Sequence, residues 1–119
     1  MKLYKRSDFI VLPAGTIYSR VRKDYGELLY GLFCKTTGPE YTIDWVEQDL
    51  LGEPKAPDEL TDGGEIWDYI LNRRDTFQEF ETDLDCAGRD GMFNDEDVFV
   101  VWDKKDVTKL IDYLTKAIE

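Results

Sequence analysis

Residues 98–118, VFVVWDKKDVTKLIDYLTKAI, predict a buried strand followed directly by an amphipathic helix. Five apolar residues in succession, at 98–102, are typical of a short strand covered on both faces, so we expect this strand in the interior of a sheet. Asp103 then provides an N-cap for a helix whose apolar residues recur at helical spacing. These residues are Val107, Leu110, Ile111, Leu114 and Ile118. The stripe that they form is expected to be buried.

Three more strands are predicted in the first half of the chain. Residues 15–22 alternate between apolar and polar side chains, with arginines on the polar face. Residues 27–35 are apolar on both faces, which favours a central strand, and residues 41–49 have a mixed pattern that also favours a strand. Turn residues lie between these segments, at 24–26 and 38–39. Because short connections join antiparallel neighbours, the three strands are expected to form a meander.

The middle of the chain predicts a loop, a helix and one further strand. A polar, proline-containing loop is expected at residues 51–60. Asp62, followed three positions later by a glutamate, forms a capping-box pattern that predicts a helix over residues 63–75. Residues 80–86 alternate in the manner of a strand. The fold expected for residues 1–119 is therefore a single α+β domain with a mainly antiparallel five-stranded sheet and two amphipathic helices.

The composition excludes several kinds of active site. The 119 residues include no His, which excludes Ser-His-Asp and Cys-His machinery and histidine zinc ligands. Cys34 and Cys86 form no CxxC pattern, so neither a cysteine zinc site nor a disulfide framework is supported. Neither GxGxxG nor GxxxxGKS/T, the usual phosphate-binding loops, occurs in the chain. We therefore expect no enzyme activity, no catalytic residue, no cofactor and no bound metal.

The net charge of −11 is distributed unevenly along the chain. Residues 1–35 carry +4, residues 36–99 carry −15, and residues 100–119 carry no net charge. An electrostatic function is therefore expected in the middle segment. Direct binding of nucleic acid is disfavoured because so negative a surface repels phosphates, and the basic N-terminal strand is the only segment suited to it.

A row of carboxylates is expected on the strand at residues 80–86. Side chains two positions apart on a strand share a face at a spacing of about 6.6–6.8 Å, close to the phosphate spacing of one nucleic-acid strand. Three more acidic residues would extend this row if a turn at residues 88–91 brings them close. Trp67, at the edge of a helical stripe, is expected to be an exposed aromatic anchor. The predicted partner-binding residues are Glu81, Asp83, Asp85, Asp95, Glu96, Asp97 and Trp67.

The acidic segment has three interpretations at this point. In the simplest, the charge only keeps the protein soluble and monomeric. In the second, the carboxylates imitate a nucleic acid and occupy the basic groove of a partner. The third is metal binding or acid–base chemistry. Residues 83–94 begin like a calcium loop, but Ala87 and Asn94 occupy positions where ligands are required, so specific calcium binding is not expected.

Two stretches, LPAGTIY at residues 12–18 and GRDGMFNDEDVFVVWD at residues 88–103, resemble small acidic hypothetical proteins of bacteriophage and prophage genomes. The resemblance covers the two ends of the chain and carries over no catalytic residue. It implies a phage-encoded accessory protein. The apolar run at residues 9–12 is too short for a signal peptide or a membrane span, which favours the cytoplasm of a bacterial host.

Together these features favour a non-enzymatic inhibitor of a host nucleic-acid-handling defence complex, of the anti-CRISPR or anti-restriction type. The expected partner is a host protein or protein–nucleic-acid complex with a basic groove, and neither direct nucleic-acid binding nor a membrane is expected. An alternative is an immunity or antitoxin-like protein that blocks a toxin. A further alternative is a carboxylate- or metal-dependent enzyme.

Overall fold

The computed structural model describes residues 1–22, 26–89 and 94–119. These residues form eight strands and three helices. The strands are β1 (Lys2–Lys5), β2 (Ile17–Arg22), β3 (Glu27–Lys35), β4 (Val46–Asp49), β5 (Glu53–Lys55), β6 (Glu81–Asp83), β7 (Ala87–Arg89) and β8 (Val98–Val101). The helices are α1 (Arg6–Phe9), α2 (Gly63–Asp75) and α3 (Lys104–Ala117).

Six of the strands form one antiparallel sheet in the order β1-β8-β2-β3-β4-β7. The predicted α+β class is confirmed, and so are the meander of β2, β3 and β4 and the interior position of β8. The sheet has six strands where five were expected: four of the predicted strands belong to it, the one predicted at 80–86 does not, and its two edges, β1 and β7, were not predicted. These strands have only four and three residues, too few for an alternating pattern to stand out in the sequence.

The core of this sheet is a cluster of aromatic rings. Phe9 on α1 is fully buried, and the centre of its ring lies 4.6 Å from that of Tyr18, 4.8 Å from that of Trp45 and 4.4 Å from that of Phe99. Phe33 of β3 stacks on Tyr18 at 5.4 Å. Edge-to-face and stacked rings at these separations add stabilisation beyond the apolar area that they bury. The short helix α1 is therefore an anchor of the core, although the sequence did not predict it.

Two predicted strands differ from those observed. The strand expected at 41–49 is confined to Val46–Asp49, and Trp45, just before it, is fully buried in the core. The strand expected at 80–86 is confined to Glu81–Asp83 and pairs with Glu53–Lys55 in a separate two-stranded sheet. It does not join the main sheet as predicted, because an alternating pattern does not specify which strand will be its neighbour.

Both long helices have the predicted extent, but the stripe of α3 is not buried. The side chain of Asp103 accepts a hydrogen bond from the backbone N–H of Asp106 and caps the helix. No residue of α3 is buried; Val107 and Leu110 are half-buried, and Ile118 is 87% exposed. The expectation that the whole stripe is buried is therefore wrong. Helical spacing shows that a stripe exists, but it does not show how much of it a sheet covers.

The chain forms two compact units. Met1–Leu51 and Ala87–Glu119 make the first unit, which contains the six-stranded sheet, and Gly52–Cys86 make the second. Gln48 of β4 lies opposite Ala87 of β7 in the sheet, so the second unit is an insertion between two strands that are neighbours in the sheet. The prediction that residues 1–119 are a single domain stays a prediction.

Candidate protein-binding surface

Most of the net charge belongs to the smaller unit. Gly52–Cys86 contains eleven acidic and three basic side chains, a net charge of −8, which leaves −3 for the rest of the chain. Ten of the eleven acids are exposed and have no ion-pair partner in the part of the chain that the structure describes. The exception is Asp75, whose carboxylate lies 2.9 Å from Nε of Arg74. The exposed carboxylates of this unit attract cationic surfaces over distances of about a Debye length.

The same unit contains a groove, the acidic-apolar groove, made of two adjoining cavities. The first cavity has a volume of about 510 Å³ and is lined by Lys55, Ala56, Pro57, Asp58, Glu59, Tyr69, Glu79, Phe80 and Glu81. The second has a volume of about 400 Å³ and is lined by Pro54, Lys55, Tyr69, Ile70, Arg73, Arg74, Phe77, Gln78 and Phe80. The cavities share Lys55, Tyr69 and Phe80. One end of the groove is therefore acidic and the other is apolar.

Phe77, at the apolar end, has an unusual backbone conformation two residues after the end of α2. Its φ is +53°, which is the left-handed region that favours glycine. The N–H of Phe77 donates to the carbonyl of Arg74, and that of Gln78 donates to the carbonyl of Arg73, the two bonds of a Schellman motif. A phenylalanine therefore occupies the position where this motif usually has glycine. Its side chain is 96% exposed.

The predicted acidic residues of this unit are exposed, but they do not form the regular row that was expected. Glu81 and Asp83 lie on β6, whereas Asp85 lies beyond the strand. The carboxylate of Asp83 accepts a hydrogen bond of 2.8 Å from the backbone N–H of Asp85, so the chain turns at this point. A spacing derived from an extended strand therefore does not apply across Asp83 and Asp85.

The other three predicted acids belong to the first unit. Asp95, Glu96 and Asp97 lie in a turn before β8, where the side chain of Asn94 accepts from the N–H of Glu96. A turn was expected at 88–91. This prediction is wrong for Gly88, which forms part of β7, and residues 90–91 lie outside the described residues. The structure therefore does not support the expectation that a turn brings Asp95, Glu96 and Asp97 close to the acidic row at residues 81–85.

Trp67 has the exposure that was predicted for it. It lies on α2 and is 61% exposed, although it lines neither cavity of the acidic-apolar groove. The aromatic residues that do line the groove, Tyr69, Phe77 and Phe80, were not predicted as site residues. Their signal in the sequence was weak, because apolar residues at these positions equally suit a buried helix face and a buried strand.

The arginine face expected on the N-terminal strand is occupied by internal contacts. Nη2 of Arg20 lies 3.0 Å and 2.9 Å from the two carboxylate oxygens of Glu47, and its guanidinium stacks over Phe33 and Phe99. The hydroxyl of Tyr18 donates to the same carboxylate and accepts from Nε1 of Trp45. These contacts hold the half-buried Arg20 against the core, which reduces the basic surface suited to a phosphate backbone.

Within the described ranges, no group of three or more His, Cys, Asp or Glu side chains is arranged to hold a metal ion. None of the helices described there is both long and apolar enough to cross a lipid bilayer.

Comparison of the chain with protein-family models, with curated proteins and with solved structures finds no match.

Proposed function

We propose that this protein is a non-enzymatic inhibitor that acts by binding a basic protein surface through Gly52–Cys86. The observation that carries the proposal is the net charge of −8 on 35 residues, with ten of eleven carboxylates exposed and unpaired within the described chain. Like charges held close together repel one another, so their concentration lowers the stability of the free protein. A cationic partner converts that repulsion into attraction.

The partner best suited to this surface is a host protein whose basic groove normally holds DNA or RNA. Lys and Arg that neutralise phosphates also attract carboxylates, and electrostatic attraction raises the association rate. The resemblance to small phage proteins supports a bacterial host cytoplasm and a defence complex as the setting. The contact surface in this proposal is Gly52–Cys86, which we call the acidic unit. Asp95, Glu96 and Asp97 are not part of it.

The experiment is affinity capture from a nuclease-treated bacterial lysate with three baits that all have matched folds by circular dichroism. The first is the wild type. The second carries Glu53→Gln, Glu81→Gln and Asp85→Asn in the acidic unit. The control carries Asp8→Asn, Glu27→Gln and Glu119→Gln, three exposed acids of the other unit, so both variants lose the same charge.

We expect the wild type and the control to retain a nucleic-acid-binding protein that duplex DNA displaces. The acidic-unit variant should bind this protein about tenfold more weakly or worse, and binding by the wild type should weaken steeply with added salt. Equal affinity of all three baits, or simultaneous binding of DNA and bait, would contradict the proposal. Capture of a small toxic enzyme in place of a nucleic-acid-binding protein would favour the immunity-protein alternative.

A further inference from the structure

We infer that the acidic-apolar groove binds a protein segment in which a lysine or arginine lies close in sequence to a large apolar side chain. The inference rests on the proposed function for the kind of partner, a basic protein, and adds which chemical features of that partner are recognised. It uses only Gly52–Cys86, all of whose residues the structure describes.

The apolar end of the groove has the properties of an anchor pocket. Ile70, Phe77 and Phe80 line a cavity of about 400 Å³, and Phe80 is 55% exposed although it is an aromatic residue. Protein interfaces place their strongest contacts where an aromatic or aliphatic side chain fills such a pocket and excludes water. An apolar side chain of the partner would cover these residues and gain about 25 cal/mol for each Å² of apolar surface that leaves water.

Phe77 gives independent support for an occupant at this end. A phenylalanine with φ near +53° and 96% exposure has neither favourable backbone geometry nor burial in the free protein. Glycine or asparagine would satisfy the Schellman motif without that conformational cost. A phenylalanine here is explained if its ring forms one wall of a binding site.

The acidic end fixes the charge of the occupant. Asp58, Glu59, Glu79 and Glu81 line the cavity of about 510 Å³, and Lys55 is the one cation among the described residues of its lining. Among the described residues none of these four carboxylates has an ion-pair partner. A lysine or arginine of the partner would therefore meet several unpaired carboxylates, whereas an acidic or neutral segment would leave them unpaired.

The groove also determines which of its ends holds the cationic side chain and which holds the apolar one. Arg73 and Arg74 line the apolar cavity, and they repel a cation placed there. Because the two cavities share Lys55, Tyr69 and Phe80, the cationic and apolar side chains of the occupant must be near neighbours in its sequence. Nucleic acid is excluded as the occupant by the same carboxylates.

The test uses three fluorescent synthetic peptides and the full-length chain. The complete probe contains two arginines followed by leucine and tryptophan; in the second peptide serines replace the two apolar residues, and in the third glutamines replace the arginines. Binding is measured by fluorescence anisotropy, and the site is located by the shifts of backbone amide NMR signals. Three proteins are compared with the wild type: Phe77→Asn, Glu79→Gln with Glu81→Gln, and the control Asp8→Asn with Glu27→Gln, which removes equal charge from exposed positions outside Gly52–Cys86.

We expect only the complete probe to bind measurably, with shifts at Tyr69, Ile70 and Phe80. Phe77→Asn and the Glu79/Glu81 double variant should each weaken binding about tenfold, while the Asp8/Glu27 control changes it less than about twofold. Phe77→Asn is expected to fold normally, because the wild-type ring is exposed and asparagine tolerates the backbone angle. No binding of the complete probe, shifts elsewhere, or equal losses in the control would overturn the inference. Self-association that buries the groove, seen by sedimentation, would also overturn it and make a second copy the occupant.

These results are separable from those that test the proposed function. If the probe does not bind the groove while lysate capture still depends on the acidic unit, the inference fails and the function stands. If the probe binds as described but the wild type and the acidic-unit variant capture the partner from the lysate equally well, the inference stands and the inhibitor proposal fails.

Discussion

At the scale of single residues, Lys35 shows how far tertiary contacts alter the role of a charged side chain. It is fully buried, and Nζ donates to the carbonyls of Ile10 and Leu12, each at 2.7 Å, and of Phe9 at 3.3 Å. Burial lowers the pKa of Lys35 below its usual range. Its ammonium donates to the carbonyl of the last residue of α1 and to two carbonyls of the segment that follows the helix. The lysine therefore holds in place the helix that supplies Phe9 to the core.

A second residue-scale effect concerns Phe77. We predict that the substitution Phe77→Gly stabilises the protein. Phe77→Gly removes a side chain from a left-handed backbone position without uncovering any buried surface. We expect the free energy of unfolding to rise by about 1 kcal/mol, measured by urea denaturation, while the complete probe peptide binds more weakly. A glycine variant less stable than wild type would show that the exposed ring makes a stabilising contact.

At the scale of elements, the start of α3 has a carboxylate with a strongly shifted pKa. The backbone N–H of Asp106 donates to Asp103, the α-amino group of Met1 lies 3.1 Å away, and together they lower the Asp103 pKa from 3.8 to about 2. Because the folded state binds this proton less tightly than the unfolded chain, the carboxylate stabilises the fold above pH 3.8, and that contribution is lost as the pH falls through about 2.

This pKa can be checked directly by NMR titration of the side-chain carboxyl carbons. Asp103 should titrate near pH 2, well below an exposed aspartate. Asp103→Asn should remove the corresponding step from the dependence of stability on pH. An Asp103 signal that titrates near 3.8 would mean that neither the cap nor the contact with Met1 persists in solution.

Two apolar side chains, Phe99 of β8 and Leu110 of α3, should differ sharply in their contribution to the free energy of unfolding. Phe99 of β8 is fully buried among Phe9, Tyr18 and Trp45, so Phe99→Ala should cost about 3–5 kcal/mol. Leu110 of α3 is half-buried, so Leu110→Ala should cost about 1 kcal/mol, less than full burial of the helix stripe would imply. Urea midpoints of the two variants provide the comparison, and equal losses would contradict the exposure found for α3.

At the scale of the whole molecule, the insertion of Gly52–Cys86 between β4 and β7 predicts that the sheet unit folds without it. Replacing residues 50–85 by Asn-Gly leaves Asp49 and Cys86 at the ends of a two-residue hairpin, which suits the antiparallel pairing of Gln48 with Ala87. The shortened chain would carry a net charge of −3.

This shortened chain should keep the near-ultraviolet circular dichroism of the aromatic core and unfold in one transition. It should also lose the captured partner, since the proposed contact surface is gone. Collapse of the near-ultraviolet signal would show instead that the sheet depends on the inserted unit, in agreement with the single-domain prediction. Retention of the partner by a folded short chain would move the interface to the sheet unit.

Local patterns were sufficient to predict the elements that depend on short-range chemistry. The capping aspartates with helical spacing predicted α2 and α3, and the short turns predicted the antiparallel order of β2, β3 and β4. Hydrogen bonds within a helix and across a tight hairpin join residues close in the chain, so the pattern alone specifies them. Total charge and the lack of histidine follow from composition in the same way.

What the sequence left open depended on partners distant in the chain. The same alternation at residues 80–86 suits any sheet, and only the fold pairs β6 with β5. Arg20 has the pattern of a surface cation, yet it binds Glu47, which lies 27 residues away. The acidic-apolar groove likewise depends on a strand, a helix and the segment after it meeting in space. The sequence thus determined local elements and total charge, while tertiary contacts decided which charged and apolar side chains remain exposed to a partner.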